Sequence, residues 1–136
     1  VESSMSGFAR CERGSISGFV VILSMTFVAC AGLAFDGGRM VAARAEATDA
    51  AENAARAGAQ RVASLRSGNP TIDRSAAIAT ASEFLDNIGI SGDVVADQGS
   101  VTVTTRIKLE MVLLGLFGVQ TKSISAVRSA KPFTSP

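Results

Sequence analysis

From position 16 to position 35 the chain runs for twenty residues without a charge, with Arg13 ahead of the run and Asp36 closing it. A helix rises 1.5 Å per residue, so this stretch would be about 30 Å long, the thickness of a bilayer's hydrocarbon core. Ten of the twenty are Ile, Val, Leu or Phe, and each favours insertion by about 0.3 to 0.6 kcal/mol. The run therefore predicts a transmembrane helix. As the core helix of a soluble protein it would need apolar cover on every side, and the remaining chain has too little strongly apolar sequence to provide it.

After Asp36, Gly37 and Gly38 the pattern changes. Eleven Ala fall among the 22 residues from Ala42 to Ala63, and Ala has the highest helix propensity. Met40, Ala43, Ala47, Ala51, Ala54, Gly58, Val62 and Leu65 recur at steps of three or four, which draws one stripe along a helix. Arg44, Glu46, Asp49, Glu52, Arg56 and Arg61 lie largely off that stripe. Glu52 and Arg56 stand at i and i+4 in the favourable order, worth about 0.3 kcal/mol. Gly37 and Gly38 either end or kink the membrane helix, or are crossed by it at about 1 kcal/mol each relative to Ala. The seam of Ala43, Ala47, Ala51, Ala54 and Gly58 buries little area but lets another backbone approach closely. Two surfaces can fill it: the chain's own carboxyl-terminal domain, or other subunits of an assembly.

Ser67, Gly68, Asn69 and Pro70 are turn residues that end this stalk. Thr71 is placed to cap a second helix, on which Ile78, Ala81, Leu85 and Ile88 share a face until Gly89 closes it. The period then drops to two. Val101, Val103, Thr105, Ile107, Leu109 and Met111 alternate with Thr102, Thr104, Arg106, Lys108 and Glu110, the signature of a half-buried antiparallel strand. Residues 93–97 read as a shorter strand, joined to it through Gln98 and Gly99, with Gly available for positive φ. Residues 120–129, rich in Ser, Thr and β-branched side chains, read as a third. Between the last two strands, residues 111–119 (MVLLGLFGV) are apolar, interrupted only by Gly115 and Gly118, and too short to span a bilayer. They are either a buried strand end and turn, or an exposed loop that dips into a membrane surface or docks a partner.

The chemistry these patterns leave room for is narrow. The 136 residues include no His, Trp or Tyr and only two Cys, so the commonest general base and a four-thiolate metal site are both missing. Cys11 and Cys30 fall on different sides of the membrane reading and are not expected to pair. Thirteen basic residues against twelve acidic ones give a net charge of +1, too little field for nucleic acid. Glu83, Asp86, Asp93 and Asp97 cluster in sequence without a calcium-loop pattern and read as a solvated face. Gly115 and Gly118 are not followed by the Lys-Ser or Lys-Thr of a phosphate loop. No base stands ready to activate any Ser or Thr. The reading is a protein without catalytic residues, cofactor, metal or small-molecule substrate.

Arg13-Gly14-Ser15-Ile16-Ser17-Gly18-Phe19-Val20, then Gly32-Leu33-Ala34-Phe35-Asp36-Gly37-Gly38-Arg39, and the Ala-Glu-rich run from Ala45 to Ala59 together resemble the TadE/TadG-like family of Flp (tight-adherence) pilus-assembly and pseudopilin-like proteins. The match is strong over about residues 10–63 and looser over the Thr-rich strands and their apolar insert. The resemblance implies a single-pass protein of the bacterial cytoplasmic membrane, its amino terminus inside and its carboxyl-terminal domain outside. It also implies work in a type IV-like pilus or secretion system, with other TadE/TadG-like membrane proteins, the lipid bilayer and further copies of itself as partners. Gly14 and Ser15 stand where prepilin-type relatives are processed. Those relatives carry a Glu at the fifth mature position, whereas Phe19 stands there and no acid follows before Asp36. An unpaired amino terminus in lipid would be costly, so an uncleaved signal anchor is expected.

The alternative is a surface lipoprotein or secreted binding module. Thr26-Phe27-Val28-Ala29-Cys30 resembles a permissive lipoprotein signal, which makes Cys30 the candidate acylation site. The overall expectation is an α+β chain: an amino-terminal transmembrane helix continuing into an Ala-rich helix, then a second helix and a small three-stranded antiparallel sheet. Its divisions are a tail (1–15), the membrane helix (16–35), the stalk helix (36–67), an α+β extracytoplasmic domain (68–131) and a disordered end (132–136).

Overall fold

One continuous helix, α1 (Glu12–Ala59), carries both the apolar run and most of the Ala-rich stretch. The computed structural model describes residues 12–63, 71–118 and 120–133. The tail through Cys11, the turn at 67–70, Leu65 and residues 134–136 lie outside the described residues. Gly37 and Gly38 do not end α1: the helix passes through them, and its 48 residues extend for about 70 Å. Its carboxyl end comes at Ala59 rather than beyond position 65. From there the chain turns back on itself. Ala63 N–H donates to the Thr71 carbonyl at 2.8 Å, Asp73 N–H donates to the Arg61 carbonyl at 2.9 Å, and Val62 and Ile72 form an antiparallel bridge between them. Val62 thus belongs to this clip and not to the helical stripe.

The second helix, α2 (Arg74–Asn87), starts later than the Thr71 cap expected from sequence. Its N-cap is Asp73, whose Oδ1 accepts from Ala76 N at 3.1 Å and from Ser75 Oγ at 2.7 Å. Thr71 is already engaged through its backbone in the clip, and a carboxylate is the stronger acceptor for helix N–H groups. At the other end Gly89, at φ +70°, lets Ile90 N–H reach back to the Leu85 carbonyl at 3.1 Å. That left-handed closure is what Gly supplies without steric cost.

Strands β1 (Ser91–Ala96), β2 (Val101–Glu110) and β3 (Thr121–Ala130) form an antiparallel meander in chain order. The β1–β2 link differs from a glycine-driven two-residue turn. The ladder ends at Ala96 opposite Val101, and Gly99 is not among the residues of positive φ. Asp97 holds the turn instead, its Oδ1 accepting from Gly99 N at 3.0 Å and Ser100 N at 2.9 Å, because a short carboxylate can satisfy two turn amides at once.

Asp73 and Asp97 are both held below the ordinary aspartate value of 3.8: Asp73 first by the Ser75 hydroxyl and then by the Ala76 amide, Asp97 by the amides of Gly99 and then Ser100. A carboxyl whose pKa falls on folding stabilises the fold above its unfolded pKa, and that contribution disappears as pH falls through the folded value. Domain stability should therefore be level from neutral pH down to the carboxylate range and fall below it. A pH series of thermal melts checks this, and Asp73→Asn with Asp97→Asn should flatten the acid limb.

One face of the meander packs on both helices. Ala50, Ala51, Ala54, Ala55 and Ala59 of α1 share a core with Ala77, Ala81 and Leu85 of α2, Val101 and Val103 of β2, and Ile72. Nearly all the helical contributors are Ala, so side chains add little thickness and backbones approach closely. Gly58 shows the limit, since a Cβ there would lie 3.0 Å from the Ala77 carbonyl oxygen and 3.1 Å from Val101 Cγ1. Thr105 is fully buried on the same face, its hydroxyl donating to the Ala47 carbonyl of α1 at 2.7 Å. Thr105→Val keeps the shape and removes that bond, and is expected to cost about 1 kcal/mol in a denaturant titration. The opposite face of the sheet is polar and carries an exposed Arg106–Asp93 ion pair at 2.7 Å.

Candidate functional site

Every residue from Ile16 to Ala31 is exposed, around the whole circumference of α1. Ile16, Met25 and Val28 each show about 70% of their surface. No other described element packs on this part of the helix. A helix apolar on all sides and bare in isolation has the form required by lipid. Gly14 and Ser15 fall in the first turn of this helix. Cys30 is an exposed free thiol near the other end of the apolar run, with α1 unbroken on both sides of it.

Farther along, the seam residues face inward. Ala47, Ala51 and Ala54 are fully buried, Ala43 is buried to within 6%, and Gly58 packs on α2 and β2. Of the two surfaces able to fill this seam, the chain's own domain occupies it. The charged residues Arg44, Glu46, Asp49 and Arg56 are exposed on other faces, and Arg56 pairs with Glu52 as the i, i+4 spacing anticipates.

Where the two halves of α1 meet, the structure shows an arrangement that sequence reading missed. Asp36, which reads in sequence only as the charge ending the apolar run, is completely buried. Its carboxylate accepts three consecutive backbone N–H groups from the β2–β3 connection: Val112 at 3.3 Å, Leu113 at 3.0 Å and Leu114 at 2.7 Å. These are the amides that open a single 3-10 turn, Leu114–Phe117, which Gly118 closes at φ +94°. One turn up the helix, Arg39 Nη1 donates to the Glu110 carbonyl at 2.9 Å. One turn down, Leu113 lies on Gly32, where an added Cβ would come within 3.1 Å of Leu113 Cβ. Gly32 is buried by this contact while its neighbours Ala31, Leu33 and Phe35 remain exposed.

Residues 111–118 are thus not a strand end and turn buried in the core. They are clasped along α1, with Met111 buried, Leu113 and Leu114 half-buried and Val112 exposed. A signal for the clasp does exist in the sequence: an apolar segment broken by two Gly has amides that need acceptors, and Asp36 is an acid at the edge of the other apolar segment. Nothing local links the two, since they are 76 to 78 residues apart.

The arrangement is an apolar rod, a domain fixed to it through an Ala seam, and a charged clasp at the junction. No curated protein and no solved structure matches the chain. A family model does, and its span coincides with this rod and seam: residues 14–61 match the putative Flp pilus-assembly TadE/G-like family, to which this chain is similar across α1.

Proposed function

We propose that the protein is a membrane-anchored, non-catalytic structural component of a Flp/Tad-type pilus or secretion assembly. One helix crosses the bacterial cytoplasmic membrane, amino terminus inside, and the α+β domain stands outside. The observation that carries this reading is the coincidence of the family match over residues 14–61 with a single helix, bare and apolar where a membrane would surround it. The Ala seam is filled by the chain's own domain, so packing against other subunits falls to the bare apolar half of α1. There Gly18 has open space around its Cα and allows close approach.

The test is recovery of the tagged full chain from native membranes in mild detergent, with companions and the mature amino terminus identified by mass spectrometry. Co-recovery of other pilus-assembly proteins, together with loss of pili or secretion on gene deletion, is expected. Recovery alone from a strain whose pili are unaffected by the deletion would overturn the proposal. An intact bond between Gly14 and Ser15 is the signature of the uncleaved anchor. A chain starting at Ser15 would make it pseudopilin-like, and one starting at acylated Cys30 would replace the membrane helix with a lipid anchor.

A further inference from the structure

We infer that the β2–β3 connection, residues 111–118, is a second membrane contact, seated in the headgroup and acyl-chain boundary of the leaflet that the domain faces. The inference rests on the membrane-anchor reading of α1 and adds to it a fixed pose of the domain. Three observations lead there.

The first is depth. The connection descends along α1, with the Glu110 carbonyl held by Arg39, the amides of Val112 to Leu114 by Asp36, and Leu113 on Gly32. Gly32 lies four residues inside the uncharged run, about 6 Å below Asp36 along the axis. A helix inserted to the end of its apolar run carries Leu113 to that depth with it, which is the depth at which interfacial apolar segments reside.

The second is composition and exposure. Val112 shows 56% of its surface, beside a helix end where Leu33 and Phe35 show 62% and 55%. These patches are contiguous in level with an apolar rod already in lipid, so the same solvent covers both.

The third is the treatment of backbone polarity. A loop facing water can leave its amides to water, whereas one in lipid must pair them within the protein. Here Met111 N–H donates to the Gln120 carbonyl at 2.9 Å, Val112, Leu113 and Leu114 donate to Asp36, and Gly118 donates to the Gly115 carbonyl at 3.2 Å. Asp36 itself is shielded by the amides it accepts. The charge at the end of the run is therefore already solvated by protein.

The experiment uses the full chain in vesicles of phosphatidylethanolamine and phosphatidylglycerol, with one nitroxide label per sample. The sites are native Cys30 in a Cys11→Ser chain, and Val112→Cys or Val95→Cys in a Cys11→Ser, Cys30→Ser chain. Val95 is 65% exposed on the outer face of β1 and reports water. Collision with a water-soluble nickel chelate should be lowest at Cys30 and about tenfold lower at position 112 than at position 95, as for an interfacial segment. Position 112 as accessible as position 95, with Cys30 still protected, would overturn this inference and leave the anchor standing. Protection at 112 that appears only in native membranes and not in vesicles would overturn it in favour of a protein partner. An accessible Cys30 would overturn the anchor and this inference together.

Discussion

Ala54→Leu is expected to lower the melting temperature of the domain by roughly 5 to 20 °C, because overpacking a tight core costs about 1 to 3 kcal/mol and each kcal/mol moves a domain of this size by several degrees. Ala54 is fully buried in a core whose helical members are mostly Ala, with Ala51, Ala55, Ala77 and Ala81 in the same cluster. Leu brings three additional carbons to a place where even a Cβ on nearby Gly58 would sit 3.0 Å from a backbone oxygen. Fixed backbone cannot give way as a flexible side-chain end would, so α1 must lift from α2 and the sheet. Circular dichroism melts of the full chain in detergent provide the measurement, with Val95→Leu on the outer sheet face as the neutral control. An unchanged melt would mean that α1 does not pack on the domain through this stripe. The same result governs how assembly experiments are read: loss of companions in Ala54→Leu or Ala47→Leu follows from the damaged monomer. Substitutions on the bare half of α1, such as Gly18→Leu, probe contacts between subunits without that confusion.

Asp36→Ala should release residues 111–118 from α1 while leaving the α2 and sheet core in place. Three backbone N–H groups lose their acceptor together, and a carboxylate accepting several N–H groups is among the stronger hydrogen-bonding arrangements available to a protein. Amide exchange at Val112, Leu113 and Leu114 is expected to quicken by at least about tenfold, with the amides of α2 and β2 unchanged, because local opening and global unfolding are separate processes. Asp36→Asn keeps one neutral acceptor oxygen and should fall between the two. Equal protection in all three proteins would show that Leu113 packing on Gly32, and not the carboxylate, holds the connection. The residue pair then to alter is Gly32, where Gly32→Val would push against Leu113 directly.

Much of the architecture is written in short-range pattern. Twenty uncharged positions read as a helix long enough to cross a bilayer, because a single segment in lipid can satisfy its own backbone groups only as a helix. Steps of three and four from Ala43 to Gly58 require a helix with one small-residue face, and strict alternation from Val101 to Glu110 requires a strand with one buried face. Gly89 closes α2 where its place after Ile88 said it would. Misplaced features were those in which two local solutions compete. Thr71 and Asp73 can both cap, and the clip between Val62 and Ile72 draws Thr71 away. Gln98-Gly99 has the look of a tight turn, yet the Asp97 carboxylate reaches the turn amides first and makes positive φ unnecessary.

The sequence by itself determined the long apolar helix, the Ala stripe, the second helix, the alternating strands and the resemblance to a pilus-assembly family, because each is a periodicity or a run that a dozen neighbouring residues set among themselves. Only the tertiary structure decided that the stripe is filled by the chain's own sheet and second helix, and that Asp36 is a buried acceptor holding the apolar connection along the rod. Ala seams and buried carboxylates carry no record of their partner's identity. A small face fits any close backbone and a carboxylate fits any amide, so which one arrives is fixed by where the folded chain brings residues 76 positions away.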